Sequence, residues 1–188
     1  MLTLPQVKRH TFTVEEYTTM TRAGVFDEDD RVELIEGELI EMSPIGATHA
    51  GSLNRLLFLF TQSVKGQAIV SVQNPIRLDE HSEPQPDLVV AKYRADFYKQ
   101  AHPTPGDVLL VVEVSDTTLE LDQRIKVPLY ARANIAEAWI VNLVDLCVEV
   151  YRQPVEGNYR EKRIAKAGEW LTLEALPELR LSVREVLE

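Results

Sequence analysis

The sequence predicts a mixed α/β (α+β) fold: a central sheet of mixed strand direction flanked by helices, with a hairpin near the N-terminus and further strands near the C-terminus. Three observations predict it. Short runs rich in Val, Ile and Leu (QAIVSV, DLVV, VLLVVEVS, EAWIVNL) are separated by polar turns, as buried strands are. QAIVSV and PDLVV are joined by a turn-rich connection and should pair antiparallel. Between VLLVVEVS and EAWIVNL lies a stretch of helical period, so these two strands should be parallel neighbours joined by a right-handed helical crossover. At 188 residues and 45% apolar content the chain fits a single domain, 1–188, with one sizeable core.

In chain order, Thr13 precedes VEEYTTM with Glu16 three residues on, the capping-box pattern, which predicts a short helix to about Arg22 that ends near Gly24. RVELIEGELIEM alternates about Glu36-Gly37, a two-residue turn with Gly second, and predicts a hairpin. In that register Leu34 faces Leu39, while Glu33, Ile35, Glu38 and Ile40 share the other face. That mixed face reads either as solvated acids at a sheet margin or as acids pointing into a site. PIGATHAG is a loop, and Thr48 or His49 leads into LNRLLFLFTQSV, where Leu53, Leu56, Leu57 and Phe60 recur at helical spacing. QAIVSVQNPIRL is strand-like, and DEHSEPQ is a turn or loop that delivers the chain into PDLVV.

Residues 91–107 lack a clean period and hold Pro103, Pro105 and Gly106, which predicts a loop excursion with one helical turn around RADFYKQ. After VLLVVEVS, Leu121, Ile125, Leu129 and Ala133 line one face of a helix, and Asp122, Lys126 and Tyr130 line another at four-residue spacing. Pro128 inside that helix lacks an N–H and crowds the carbonyl near Arg124, so a kink or a boundary is expected there. LCVEVYRQ and YREKRIA predict a second hairpin, and LTLEALPELRLSVREVLE ends in a short helix from about Ser182.

Composition excludes several classes. The single Cys147 cannot form an intramolecular disulfide or a thiolate metal site alone; it suits a reducing cytoplasm and reads as a small buried hydrophobe in LCVEVY. The stretch MLTLPQVKRHTFTVEEY lacks the apolar run of roughly 7–15 residues of a secretory signal, and no stretch approaches the roughly 20 apolar residues that span a bilayer. A soluble, cytoplasmic protein is therefore expected. A net charge of -10 disfavours general attraction to nucleic acid. Acids dominate Asp27–Glu41, whereas Arg152, Arg160, Lys162, Arg163 and Lys166 outnumber Glu156 and Glu161 in the basic stretch 152–166. That basic stretch reads as a charged edge strand protected from aggregation, with a phosphate-contacting surface as the alternative. Trp139 and Trp170 read as core or interface packing.

Two acids stand where burial makes them expensive. Asp87 follows Pro86 at the start of DLVV, and Glu113 interrupts VLLVVEVS. An unpaired ionised acid in such a strand costs several kcal/mol or more, so it is paired, hydrogen-bonded, protonated or bound to a metal. Two carboxylates on neighbouring strands suit one hard divalent cation. No nucleophile-elbow, P-loop or dinucleotide-binding glycine pattern is present, and the four His residues form no local zinc motif.

The element order, with Pro86-Asp87 on the second core strand and Glu113 on the third, resembles the restriction-endonuclease-like PD-(D/E)XK superfamily. Within it, RVELIEGELIEMSP, THAGS, QPDLVV, VVEVSDTT, KVPLYARANIAEAWIV and LCVEVY are similar to the recurring phrases of the Uma-two family of restriction endonuclease-like proteins, over roughly residues 12–185. The resemblance implies a restriction-endonuclease-like core and a metal-dependent endonuclease acting on DNA. Where the superfamily carries Lys two residues after the acid of the third strand, this chain has Ser115. Members with a displaced Lys supply it from the next helix, and Lys126, on the face with Asp122 and Tyr130, is the candidate.

On that basis Asp87, Glu113 and Lys126 are the expected catalytic residues. Asp87, Glu113 and the Val114 carbonyl are the expected holders of Mg²⁺ or Mn²⁺, and Lys126 would orient or help deprotonate the attacking water. Glu38 or Glu33 adds a ligand from the hairpin, and His49, just before the first core helix, is an accessory residue facing phosphate or water, or else a helix-start residue bonding the backbone. The resemblance also implies a homodimer. The competing expectations are a catalytically degenerate binding or assembly module, favoured by the net negative charge and Ser115, and a nuclease that depends on a partner for its basic surface.

Overall fold

The computed structural model describes residues 9–27 and 30–188. MLTLPQVK, part of the stretch read as lacking a secretory signal, lies outside those residues, as do Glu28 and Asp29 of the acidic run. Helix α1 (Val14–Arg22) opens with the predicted capping box: the Thr13 hydroxyl accepts from the Glu16 N–H, and the Glu16 carboxylate accepts from the Thr13 N–H. Strands β1 (Val32–Ile35) and β2 (Glu38–Glu41) form the hairpin in the predicted register, Leu34 opposite Leu39 and Glu33 opposite Ile40. Gly37 (φ +79°) supplies the left-handed backbone the turn demands. This ribbon is a sheet of its own, joined to the loop at Glu83 by a bridge from Leu34.

Helix α2 (Ala47–Val64) begins a turn earlier than the sequence predicts, after Gly46, because Ala47 and Thr48 already take helical conformation. His49 therefore lies within its first turn, not before it. Then follow β3 (Ala68–Val72), β4 (Leu88–Lys92) and β5 (Val108–Ser115). The segment Asp96–Tyr98 makes turns instead of the expected helical turn: Phe97 and Tyr98 both have positive φ, and the Asp96 carboxylate binds Arg94.

The crossover consists of α3 (Leu119–Leu121), a π-helical turn at Asp122–Lys126 and α4 (Val127–Arg132). The break at Pro128 takes that form because a proline cannot donate to the Arg124 carbonyl and its ring crowds it; the Val127 N–H reaches back five residues to the Asp122 carbonyl instead. The wider turn also changes the faces: Ile125 is 41% exposed, not aligned with buried Leu129, while Asp122, Lys126 and Tyr130 all point inward.

Strands β6 (Glu137–Asn142), β7 (Cys147–Val155) and β8 (Asn158–Lys166) complete a six-stranded sheet ordered β3-β4-β5-β6-β7-β8. Only β5 and β6 are parallel in it, as the crossover requires. Strands β9 (Trp170–Leu173) and β10 (Leu176–Ser182) form a further ribbon, followed by α5 (Val183–Leu187).

Alternation along the strands divides the apolar side chains between two cores. Leu88, Val90, Leu110, Val112 and Val114 face α2, α5 and the β9–β10 ribbon; Val89, Ala91 and Val111 face α4, Ile76 and Ile35 of the hairpin. Trp139, 1% exposed, packs near Phe60 at 5.8 Å between ring centroids, and burial of such a side chain contributes roughly 1.5–3 kcal/mol. Trp170, expected in core or interface packing, is 51% exposed under the Arg180 guanidinium, because its place on the β9–β10 ribbon faces away from the core. Cys147 is buried, and burial raises its thiol pKa. The basic stretch is the edge strand β8, with Lys162 bound to Glu149, Arg163 to Glu169 and Arg152 of β7 to Glu137. No helix among the described residues is long and apolar enough to cross a membrane.

Candidate active site

The antiparallel ladder of β4 and β5 ends where Leu88 stands opposite Val112, and the site is built just beyond that end. Pro86 has no N–H with which to extend the ladder, and the Asp87 side chain takes over. Asp87 Oδ2 accepts the Val114 N–H at 2.9 Å, and the Asp87 N–H reaches Glu113 Oε2 at 3.3 Å. The two acids on neighbouring strands are thereby locked to each other's backbone.

Each acid has further partners. Asp87 Oδ2 also meets His49 Nε2 of α2 at 3.0 Å, while Asp87 Oδ1 has one long contact, Gln73 Nε2 at 3.5 Å. Glu113 Oε1 accepts from the Tyr130 hydroxyl and lies 3.4 Å from Lys126 Nζ. Lys126 Nζ lies 3.2 Å from Glu33 Oε2, which also accepts the Gln85 N–H at 3.0 Å. Asp122 is held by the hydroxyls of Ser115 at 2.6 Å and Thr118 at 2.8 Å. Ser115 thus anchors the acid four residues before Lys126.

Four carboxylates (Glu33, Asp87, Glu113, Asp122) are all buried around one ammonium and one imidazole. Burial pushes the Glu113 carboxyl well above the usual carboxylate range, against the pull of Lys126. Burial also raises Asp122, opposed by the Ser115 hydrogen bond. For Lys126 burial works the other way, but Glu113, Glu33, Asp122 and Asp87 outweigh it and hold the ammonium above the ordinary lysine value. The hydrogen bond to Asp87 raises His49 above an ordinary histidine, with burial opposing.

A cleft of about 240 Å³ opens onto these groups, walled by Met42 to Gly46, the α2 start with His49, and Asp116 to Thr118. Asp87, Glu113, Lys126, Glu33, His49 and Asp122 all line it. Tyr130 is buried beneath. Glu38 does not reach it: it shares Glu33's face of the hairpin but stands two residues nearer the turn, about 7 Å along the strand, and is exposed. The sequence reading missed Ser115 and Thr118 as supports for Asp122, and Gln73 and Gln85 as neighbours of Asp87 and Glu33. Ser115 was findable as a polar end to an apolar strand; the two Gln carry no such signal.

The donor set fits a hard divalent cation in kind. Asp87 Oδ1 is nearly free, and the Val114 carbonyl follows Glu113 on the same strand. Mg²⁺ needs only one or two carboxylates beside water. Among the described residues no three His, Cys, Asp or Glu side chains converge as a ready-made cage, so water would have to complete the coordination.

Residues 14–184 match the model of the Uma2 family, described as "Putative restriction endonuclease". The crystal structure of a "putative nuclease belonging to DUF820" from Anabaena variabilis ATCC 29413 is 14% identical, aligns over 94% of this chain and 97% of that chain, and superposes with a TM-score of 0.73. At that identity the likeness establishes the fold. No curated protein matches the chain.

Proposed function

The chain belongs to the Uma2 family of putative restriction endonucleases, and from that premise we propose that it is a metal-dependent endonuclease that hydrolyses phosphodiester bonds of DNA at the cleft over Asp87 and Glu113. The observation that carries this reading is the convergence in one cleft of Asp87, Glu113 and Lys126, from two strands and the crossover. Asp87, Glu113 and the Val114 carbonyl would hold Mg²⁺ or Mn²⁺, which supplies charge neutralisation at the phosphate and an acidified water.

The protein's own groups divide the remaining work. Lys126, kept as an ammonium by its acid neighbours, would provide fixed positive charge at the phosphate and orient the attacking water. Glu33 positions Lys126, Tyr130 fixes one Glu113 oxygen, and His49 fixes Asp87. The lone Cys147 suits a cytoplasmic setting.

A second reading is favoured by one observation: both Glu113 oxygens already have protein partners, as a degenerate site in a binding or assembly module would. A partner-dependent nuclease is the related case, favoured by the cleft's scarcity of cations beyond Arg31 and Lys126. Calorimetric titration with Mn²⁺ and Mg²⁺, paired with thermal melts, separates these. The proposal expects saturable binding and a raised Tm, both lost in Asp87→Asn; absence of binding by either ion in the parent protein would leave the degenerate module.

A further inference from the structure

We propose that β3 is a self-pairing edge, joining two copies of this chain into one continuous sheet through an antiparallel β3–β3 contact centred on Val70. The inference does not rest on the nuclease reading.

The two edges of the six-stranded sheet differ in kind. Edge β8 presents Arg160, Lys162, Arg163 and Lys166, all exposed, and charged side chains of this sort keep an edge from pairing. Edge β3 reads Ala-Ile-Val-Ser-Val: it has no charge, no proline and three β-branched residues, and four of its five residues are partly buried. Such a strand, left bare, is a template for another strand.

The register identifies which backbone groups are bare. The Gln73 N–H bonds the Asp87 carbonyl, so in the β3–β4 ladder Gln73, Ser71 and Ile69 turn their N–H and C=O toward β4. Ala68, Val70 and Val72 therefore turn theirs outward, and among the described residues no backbone or side-chain group bonds them. Outward groups at every second residue, symmetric about the middle one, are self-complementary under a two-fold axis perpendicular to the sheet. Val70 then pairs with Val70 of the other copy, and Ala68 with Val72, each position exchanging an N–H···O=C bond in both directions.

The ground beside the strand is compatible. Helix α5 contacts α2, β7 and β8, and Arg55 reaches from α2 to the Glu185 carbonyl of α5, so that flank of α2 is turned away from β3. At 100° per residue the opposite flank carries Leu57 and Thr61, both uncharged. A second copy would thus meet an uncharged strand bordered by an uncharged helix flank.

The test is sedimentation velocity of the full chain from micromolar to hundreds of micromolar, with amide hydrogen exchange at both ends of that range. A species of twice 21.4 kDa is expected, together with slowed exchange at the Val70 and Val72 amides as concentration rises, while the already bonded Ser71 amide does not change. Val70→Lys sets like charges at the two-fold axis and should yield a monomer; if that variant fails to fold, the exchange pattern of the parent protein still decides. A chain that stays monomeric throughout, or a dimer whose Val70 and Val72 amides exchange alike at all concentrations, would overturn the proposal.

Discussion

Replacing Lys126 by Met removes the one ammonium that faces Glu33 and Glu113, at 3.2 and 3.4 Å, where all three side chains are at most 5% exposed. At such separations each attraction is on the order of 5 kcal/mol with an effective dielectric of about 20. The net loss is smaller because the orphaned carboxyls take up protons, and removal of one partner of a buried pair costs about 3–5 kcal/mol. For a chain of this size that is a fall in Tm of roughly 6–20 °C, at about 2–4 °C per kcal/mol. The loss depends on pH with a definite sign. Burial raises the Glu113 pKa, so the folded state binds more protons than the unfolded, and stability falls as pH climbs from the ordinary carboxylate range through the raised value. Without Lys126 that value rises further and the fall deepens. Urea unfolding at pH 5 and pH 8 should therefore show a larger deficit for Lys126→Met at pH 8, and Glu113→Gln in the same chain should flatten the difference. Equal deficits at both pH values, or a loss below about 1 kcal/mol at pH 8, would refute the reasoning.

Other consequences can be measured independently. His49 is held above an ordinary histidine by Asp87, so Asp87→Asn should bring its NMR titration midpoint down; an unchanged midpoint would count against that contact. By linkage, the stabilisation this contact gives is complete below the unfolded histidine pKa and is lost as pH rises through the folded one, and the variant should lack that slope in melts between pH 5 and 9. Gly157 has φ +76°, and an added Cβ would lie 2.8 Å from Arg132 Cγ, so Gly157→Ala should cost about 1–3 kcal/mol by urea unfolding. Ser115→Ala removes a donor from buried Asp122 and should cost about 1–3 kcal/mol in the same assay, with no new metal-binding defect expected if Asp122 is a support and not a ligand.

The sheet was legible because its signals are local. The strand runs, the Glu36-Gly37 turn and the Thr13 capping box each depend on neighbours within a few residues, and the parallel β5–β6 pair follows from the length and period of the crossover. The site's principal acids were legible for a related reason: a carboxylate inside VLLVVEVS contradicts its surroundings. What the sequence hid was rotation and distance. A regular helix puts Ile125 in line with Leu129, but the π-turn before Pro128 shifts it out to 41% exposure. Alternation puts Glu33 and Glu38 on one face and cannot tell which lies over the Lys126 ammonium. Besides the Trp139 indole on its own strand, buried Glu137 is met by Arg152 of β7 and by the Glu174 N–H, and no local pattern announces these two.

Cleavage of supercoiled plasmid in Mn²⁺ by the parent protein and Asp87→Asn side by side tests the account most directly, because the substitution keeps the shape of the side chain and removes its charge. The account predicts nicking and linearisation by the parent alone, abolished by chelation of the metal. Equal cleavage by both proteins would contradict the assignment of the site to Asp87, and no cleavage by either, with the parent folded and metal-loaded, would contradict the nuclease reading of this chain acting alone.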